Sequence, residues 1–196
     1  METISIHKPK VVVIGSCNTD MVVKANRLPV PGETVLGGTF YMNPGGKGAN
    51  QAIAASRLGA EVTFISKIGY DLFGLQALEI YKSEKINTEF IFTDQKSPSG
   101  VALISVDSFG ENSIIVAPGA SRSLSIEDIN KAEEKIKEAD IILMQLEVPI
   151  ETAEYAATIA NKYGKKVILN PAPASTLSDT FLRNVHTILP LSLIHI

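Results

Sequence analysis

The sequence predicts an α/β fold, a sheet whose strands are joined by right-handed crossovers. Three observations carry that expectation. Val11–Ser16 (VVVIGS) is a continuous apolar run with a glycine near its end, the pattern of a strand buried on both faces. Runs of this kind then alternate along the chain with helix-forming segments that stop at glycine. Two β-rich stretches, 21–42 and 90–116, interrupt the rhythm and suit a small subsidiary sheet.

The elements follow in order. After the first strand, Met21–Val23, Glu33–Leu36 and Thr39–Met42 are short β-prone pieces separated by Pro29, Pro31-Gly32 and Gly37-Gly38, which reads as an antiparallel excursion. Ala49–Leu58 holds small helix formers and ends at Gly59, a C-terminal cap. Glu61–Ile68 is the next strand. Asp71 caps a helix running to about Lys85, with Leu72, Leu75, Leu78 and Ile80 expected on its buried face. Phe90–Phe92, Val101–Val106 and Ser113–Val116 are strands, the last two joined at Ser108-Phe109-Gly110. Ser125 caps a charged amphipathic helix that carries Ile126, Ile129 and Ile136 inward. Ile141–Leu146 is a strand, Ile150–Tyr163 a helix closed by Gly164, and Lys166–Leu169 a strand. Asp179–Asn184 is a short helix before the strand Thr187–Leu189.

Of the 196 residues, 45% are apolar and 20% charged, which excludes collagenous, disordered and disulfide-scaffold classes. Lys plus Arg (18) against Asp plus Glu (21) gives a net charge of −3, so no basic field for nucleic acid or anionic lipid is expected. Cys17 is the only cysteine, leaving neither an internal disulfide nor a thiolate metal cluster. His7, His186 and His195 have no ligand spacing, so no metal site is expected. The N-terminus lacks the apolar core and cleavage site of a secretory signal, and the apolar end Val185–Ile196 is short of the roughly 20 residues of a spanning helix. A cytoplasmic protein with no membrane partner is the expectation.

In open α/β sheets ligands sit beyond the carboxyl ends of the strands, so the loops that follow strands are where chemistry is sought. Asn18 and Asp20 follow the first strand, two residues apart, and can point the same way in an extended segment. Together they supply acceptors and a donor suited to a polyhydroxylated molecule; alone, the pair also fits a local turn with a solvated aspartate. Gly45-Gly46-Lys47-Gly48-Ala49-Asn50 opens a helix, where glycines permit close approach and exposed amides favour oxygen-rich groups. It is not a P-loop, since Gly48 follows the lysine, and not a Rossmann fingerprint, since Gln51 stands where the last glycine belongs. A tightly packed glycine turn is the structural alternative. Glu147 ends the strand Ile141–Leu146 and faces the same crevice, or simply marks a helix entry ahead of Pro149. Asn170-Pro171-Ala172-Pro173-Ala174 is a stiff loop in which Asn170 is expected to tie the backbone. Cys17 is expected to pack as a small apolar residue beside the site.

Taken together, G-S-x-N-x-D at 15–20, P-G-E-T at 31–34, G-G-K-G-A-N-Q-A at 45–52, M-Q-L-E at 144–147 and N-P-A-P-A at 170–174 resemble the pfkB-type carbohydrate kinases. N-x-D with M-Q-L-E is similar to their ribokinase branch rather than to fructokinases or nucleoside kinases. The resemblance runs in order from about Val11 to Pro190. It implies a Rossmann-like domain, a mostly parallel central sheet flanked by helices, with a β-sheet lid from about 21–42 and 90–116 that closes over the sugar and often forms a dimer contact. It further implies that Asn18, Asp20, Gly46, Lys47, Gly48, Asn50 and Glu147 hold D-ribose, with Ala102, Ile104 and Val116 as apolar lid contacts. The implied reaction moves the γ-phosphoryl of ATP to O5 of D-ribose, with Mg²⁺ and K⁺ as activators. The family's G-A-G-D motif, which supplies the base, does not occur in this sequence. The expectation is therefore that residues 1–190 form the sugar-binding portion of a truncated kinase domain, inactive alone, and that 191–196 are a non-native tail. Another sugar or nucleoside kinase of the family, or a non-catalytic sugar-binding protein, are the alternatives.

Overall fold

The structure, a computed structural model, describes residues 8–191. Its main sheet has six parallel strands in the order β10-β9-β8-β1-β4-β5. These are β1 (Lys10–Ile14), β4 (Glu61–Gly69), β5 (Ile91–Asp94), β8 (Ile141–Met144), β9 (Lys166–Leu169) and β10 (Thr187–Ile188). A second sheet, in the order β3-β2-β6-β7, holds β2 (Asn18–Lys24), β3 (Thr39–Gly45), β6 (Gly100–Val106) and β7 (Asn112–Ala117). In it β2 pairs antiparallel with β3 and parallel with β6.

The run VVVI lies at the centre of the main sheet and is buried on both sides, because successive side chains point to opposite faces. Val11 and Val13 join Ala49, Ala52, Val62, Phe64, Ala77 and Tyr81 under α1 (Lys47–Arg57) and α2 (Leu72–Ser83). Val12 and Ile14 join Ile129, Ile136, Ile142, Met144, Ala156 and Phe181 under α3 (Ile126–Lys131), α4 (Glu133–Glu138), α5 (Ile150–Lys162) and α6 (Asp179–Arg183). From β1 the chain builds outward to β4 and β5, then crosses to β8 and builds the other way. The carboxyl ends of β1 and β8 therefore border the switch point where α/β folds bind ligands.

Four expectations need correction. Glu33–Leu36 forms no strand; Glu33 instead accepts from the Arg27 guanidinium and from Val30 N–H, which folds the loop on itself. Ile91–Asp94 pairs with β4 in the main sheet, so the second sheet draws only residues 100–117 from the second β-rich stretch. In α2 the buried residues are Gly74, Ala77 and Tyr81, while Leu72 and Leu75 are exposed, because the sheet accepts small residues at close range there. The helix after Ser125 breaks at Ala132 into α3 and α4, with Ile129 and Ile136 buried on either side of the break.

Candidate functional site

The site starts from glycines. Gly48 opens α1 so close to the loop after β1 that a Cβ there would lie 2.7 Å from Gly15 C and from Ser16 N and O. Gly46, the N-cap at φ 89°, meets Asn18 N and Ser16 O at 3.0 Å in the same way. The glycines thus let α1 dock on the Gly15–Asn18 loop, and Ala49 N–H donates to Ser16 O at 3.0 Å. Close approach here is between two parts of the chain. That is the packing alternative, and it shapes the site.

Docking places Lys47 beside Glu147, one hundred residues on. The Glu147 carboxylate accepts from Lys47 Nζ, from Lys47 N–H at 2.9 Å and from Ser16 Oγ. Burial opposes its ionisation, yet these three donors outweigh burial and hold its pKa below the ordinary value of 4.5. The free amide expected at the start of α1 is therefore filled by an internal carboxylate. The first amide of α1 is thus turned toward the protein rather than left open to a ligand. Asp20 behaves oppositely. Burial, then the neighbouring Glu147 charge, raise its pKa above 3.8 against the opposing pull of Lys47. Its carboxylate packs on Gly45, where a Cβ would overlap it.

Ser16, Asn18, Lys47, Val116, Pro118, Arg122, Leu146, Glu147 and Pro173 line a cleft of about 310 Å³ at the switch point. Asn18 is 5% exposed, and its Oδ1 has no hydrogen-bond partner among the described residues. An unsatisfied buried acceptor is costly, and a donor entering the cleft, such as a ligand hydroxyl, would relieve it. Of the expected site residues, the cleft brings together Asn18, Lys47, Glu147 and Val116. Asp20 stands next to them, coupled to Glu147 and Lys47. Asp20, Ala102 and Val116 are cross-strand partners and share one face of the second sheet with Asn18 and Ile104. Gly46 and Gly48 support the cleft from behind, while Asn50 is exposed one turn into α1 and outside the lining.

Sequence reasoning missed Ser16, Pro118, Arg122, Leu146 and Pro173 as lining residues. Ser16 and Leu146 lie inside motifs already noted and were within reach; Arg122, in a serine-flanked turn, carried no signal. Cys17 packs as expected: it is buried against Tyr81 Oη, and burial pushes its thiol up to about 11. Asn170 departs from expectation, since its Oδ1 finds no partner among the described residues. Among the described residues no group of three or more His, Cys, Asp or Glu side chains could hold a metal ion, and Glu147 is already engaged by Lys47 and Ser16. The residues present do not fit Mg²⁺. No described helix is long and apolar enough to cross a membrane.

Known proteins share this sequence pattern and this fold. A ribokinase of Haemophilus influenzae is 46% identical over 178 residues, covering 91% of this chain and 58% of the relative. A deoxyribokinase of Salmonella typhi is 41% identical over 164 residues, covering 84% and 54%. A structure of Arabidopsis thaliana ribokinase complexed with ribose and ATP superposes with a TM-score of 0.81 at 30% identity, covering 94% of this chain and 60% of that one. The chain thus spans little more than half the length of the curated relatives it matches. The pfkB carbohydrate kinase family matches residues 8–192, which takes in both sheets and every residue of the cleft, and the chain belongs to that family.

Proposed function

We propose that this chain carries the sugar-binding portion of a ribokinase, the part that holds D-ribose for ATP-dependent phosphorylation at O5. The observation that carries the reading is the convergence of Asn18, Lys47 and Glu147 on one cleft, with Asp20 beside it, and an apolar wall of Val116, Leu146 and Pro173. A pentose presents that mixture, hydroxyls around a rim and C–H groups on its faces. Asn18 Oδ1 accepts one hydroxyl, Asp20 accepts from others, and Lys47 donates while Glu147 holds it in place. Gly46 and Gly48 shape the floor, Ala102, Ile104 and Val116 cover the sugar from the lid, and Asn50, outside the lining here, is proposed to turn toward the sugar when it binds. Likeness to the Arabidopsis enzyme bound to ribose and ATP supports the choice of sugar and of phosphoryl donor.

Mg²⁺ and K⁺ belong to the proposed reaction, and among the described residues no cluster of carboxylates, histidines or cysteines is placed to hold a metal ion. Glu147 is neutralised by Lys47 and is unsuited to act as base toward O5. The proposal extends to a homodimer through the lid, whose outer face carries the exposed side chains Val23, Phe40, Met42, Leu103 and Ile115. Calorimetric titration of the chain with D-ribose, D-fructose and adenosine tests the function. D-Ribose is expected to bind tightest, without ATP-dependent turnover by this chain alone. Tighter binding of fructose or adenosine overturns the reading.

A further inference from the structure

The cleft contains a charge that a neutral pentose does not use. Arg122 lines it alongside Ser16, Asn18, Lys47 and Glu147, and no hydrogen bond or ion pair engages its guanidinium among the described residues. The other cation there, Lys47, is matched by Glu147. Arg122 alone presents an uncompensated positive charge to whatever occupies the space.

The turn that carries it is fixed on both sides. Arg122 sits in the 3₁₀ turn Gly119–Ser123. On one side, Ser121 Oγ accepts from Cys17 N–H at 3.3 Å, tying the turn to the loop that leads into Asn18. On the other, Ser123 O accepts from Lys67 Nζ at 3.1 Å and Ser123 Oγ donates to Asp94. Ala120 N–H donates to Pro98 O at 2.8 Å. Asp94, which could have drawn a nearby arginine, is instead satisfied by Ser123, Lys96 and Ser97, and its pKa falls to about 2. The backbone is therefore held while the guanidinium is left free.

A planar guanidinium suits a tetrahedral or planar oxyanion that can take two parallel hydrogen bonds. The hydroxyl-binding groups, Asn18 and Asp20, stand in or beside the same cleft. A ligand that satisfies both sets has hydroxyls and one anionic group, and a sugar carrying a transferred phosphoryl group is such a molecule. We propose that Arg122 binds the phosphate of a pentose 5-phosphate held in the cleft, so that the site retains its phosphorylated sugar more tightly than the free one. This rests on the ribose reading and assigns the phosphate end of the same ligand.

Titration of D-ribose, D-ribose 5-phosphate and inorganic phosphate into the chain and its Arg122→Ala and Arg122→Lys variants tests it. Arg122 is exposed and unpaired, so both variants are expected to keep the wild-type circular dichroism and melting temperature. D-Ribose 5-phosphate is expected to bind more tightly than D-ribose. Arg122→Ala should weaken the phosphosugar about tenfold or more and leave D-ribose unchanged, with Arg122→Lys between. Inorganic phosphate should compete with the phosphosugar only when Arg122 is present. Equal affinity for the two sugars, or equal loss of both in Arg122→Ala, overturns the inference while the ribose reading stands. Arg122-dependent binding of the phosphosugar without any binding of D-ribose removes the ribose reading and keeps the anion site. Binding of neither sugar overturns both.

Discussion

Asp20 and Glu147 are carboxylates in one environment that burial and partners push in opposite directions. Asp20 is raised above 3.8, so the folded state holds its proton more tightly than the unfolded chain does. Its contribution to stability is fully present below 3.8 and is lost as pH rises through the raised folded value. Asp20→Asn is therefore expected to raise the urea midpoint at pH 7 while weakening D-ribose by roughly ten- to a hundredfold. An unchanged or lower midpoint contradicts this. Glu147 is depressed below 4.5, so its contribution is present above that value and lost as pH falls through the folded pKa. Glu147→Gln should cost about 1–3 kcal/mol at pH 7, and progressively less as pH falls below 4.5 through the depressed folded value. Urea unfolding across that pH range measures it. Both residues were legible in the sequence, because each follows a strand in a motif of specific spacing. Their opposite titration was not, since it depends on Lys47 and Ser16 reaching Glu147 across the fold. Arg122 stayed invisible for a related reason: an isolated arginine acquires meaning only once the turn that holds it is placed.

Elements whose ends are fixed by local chemistry were read well. Gly59 and Gly164 follow α1 and α5 with positive φ, and Asp71 and Ser125 cap α2 and α3 through side-chain acceptors. What failed was which face an element turns inward, because its neighbours decide that. Leu72 and Leu75 fit a helical stripe, yet small residues meet the sheet instead. Asp71 shows how a local reading can be correct and incomplete. Besides accepting from Gly74 N–H at 2.9 Å, it accepts from Ser99 N–H and Ser99 Oγ, both at 2.7 Å, at the root of β6. Gly69, Gly74 and Gly119 pack around the same segment so closely that a Cβ on any of them would meet it at 2.8 Å or less. Asp71→Ala should cost about 1–2 kcal/mol from the lost cap, with the 97–100 segment becoming the first protease-sensitive site. Limited proteolysis with urea unfolding checks this, and cleavage elsewhere first would argue against it. Gly48→Ala should drive α1 off the Gly15–Ser16 loop at a cost of about 1–3 kcal/mol, and D-ribose affinity should fall with the displaced Lys47.

At the scale of the molecule, the division into a parallel sheet and a smaller β-sheet was legible because buried parallel strands and exposed mixed strands differ in pattern. The strand order was not, since β1 pairs with β4 and β8 across gaps of about fifty and a hundred and thirty residues. The outer face of the second sheet gives a prediction at this scale. The chain is expected to sediment as a dimer, and Leu103→Asp with Ile115→Asp to return it to monomer with D-ribose binding retained. A monomer at every concentration would count against a lid interface. The tail 191–196, apart from Leu191, lies outside the described residues.

All four strands of the second sheet meet the core at one end. β2 leaves it at Asn18 and β6 at Gly100, while β3 returns at Gly45 and β7 at Ala117. Their far ends, Lys24, Thr39, Val106 and Asn112, pair with one another and, through Ala25 N–H to Val106 O at 2.9 Å, with the sheet's own connecting loop. The sheet can therefore rock as a rigid plate about a single line without breaking any hydrogen bond inside it. On the ribose reading, entry and escape of the sugar should follow how often the plate tilts, and strength of binding the residues that line the cleft. Substitutions on the outer face of the plate should change residence times, and those that line or border the cleft, Asn18 and Asp20 on β2 among them, equilibrium constants.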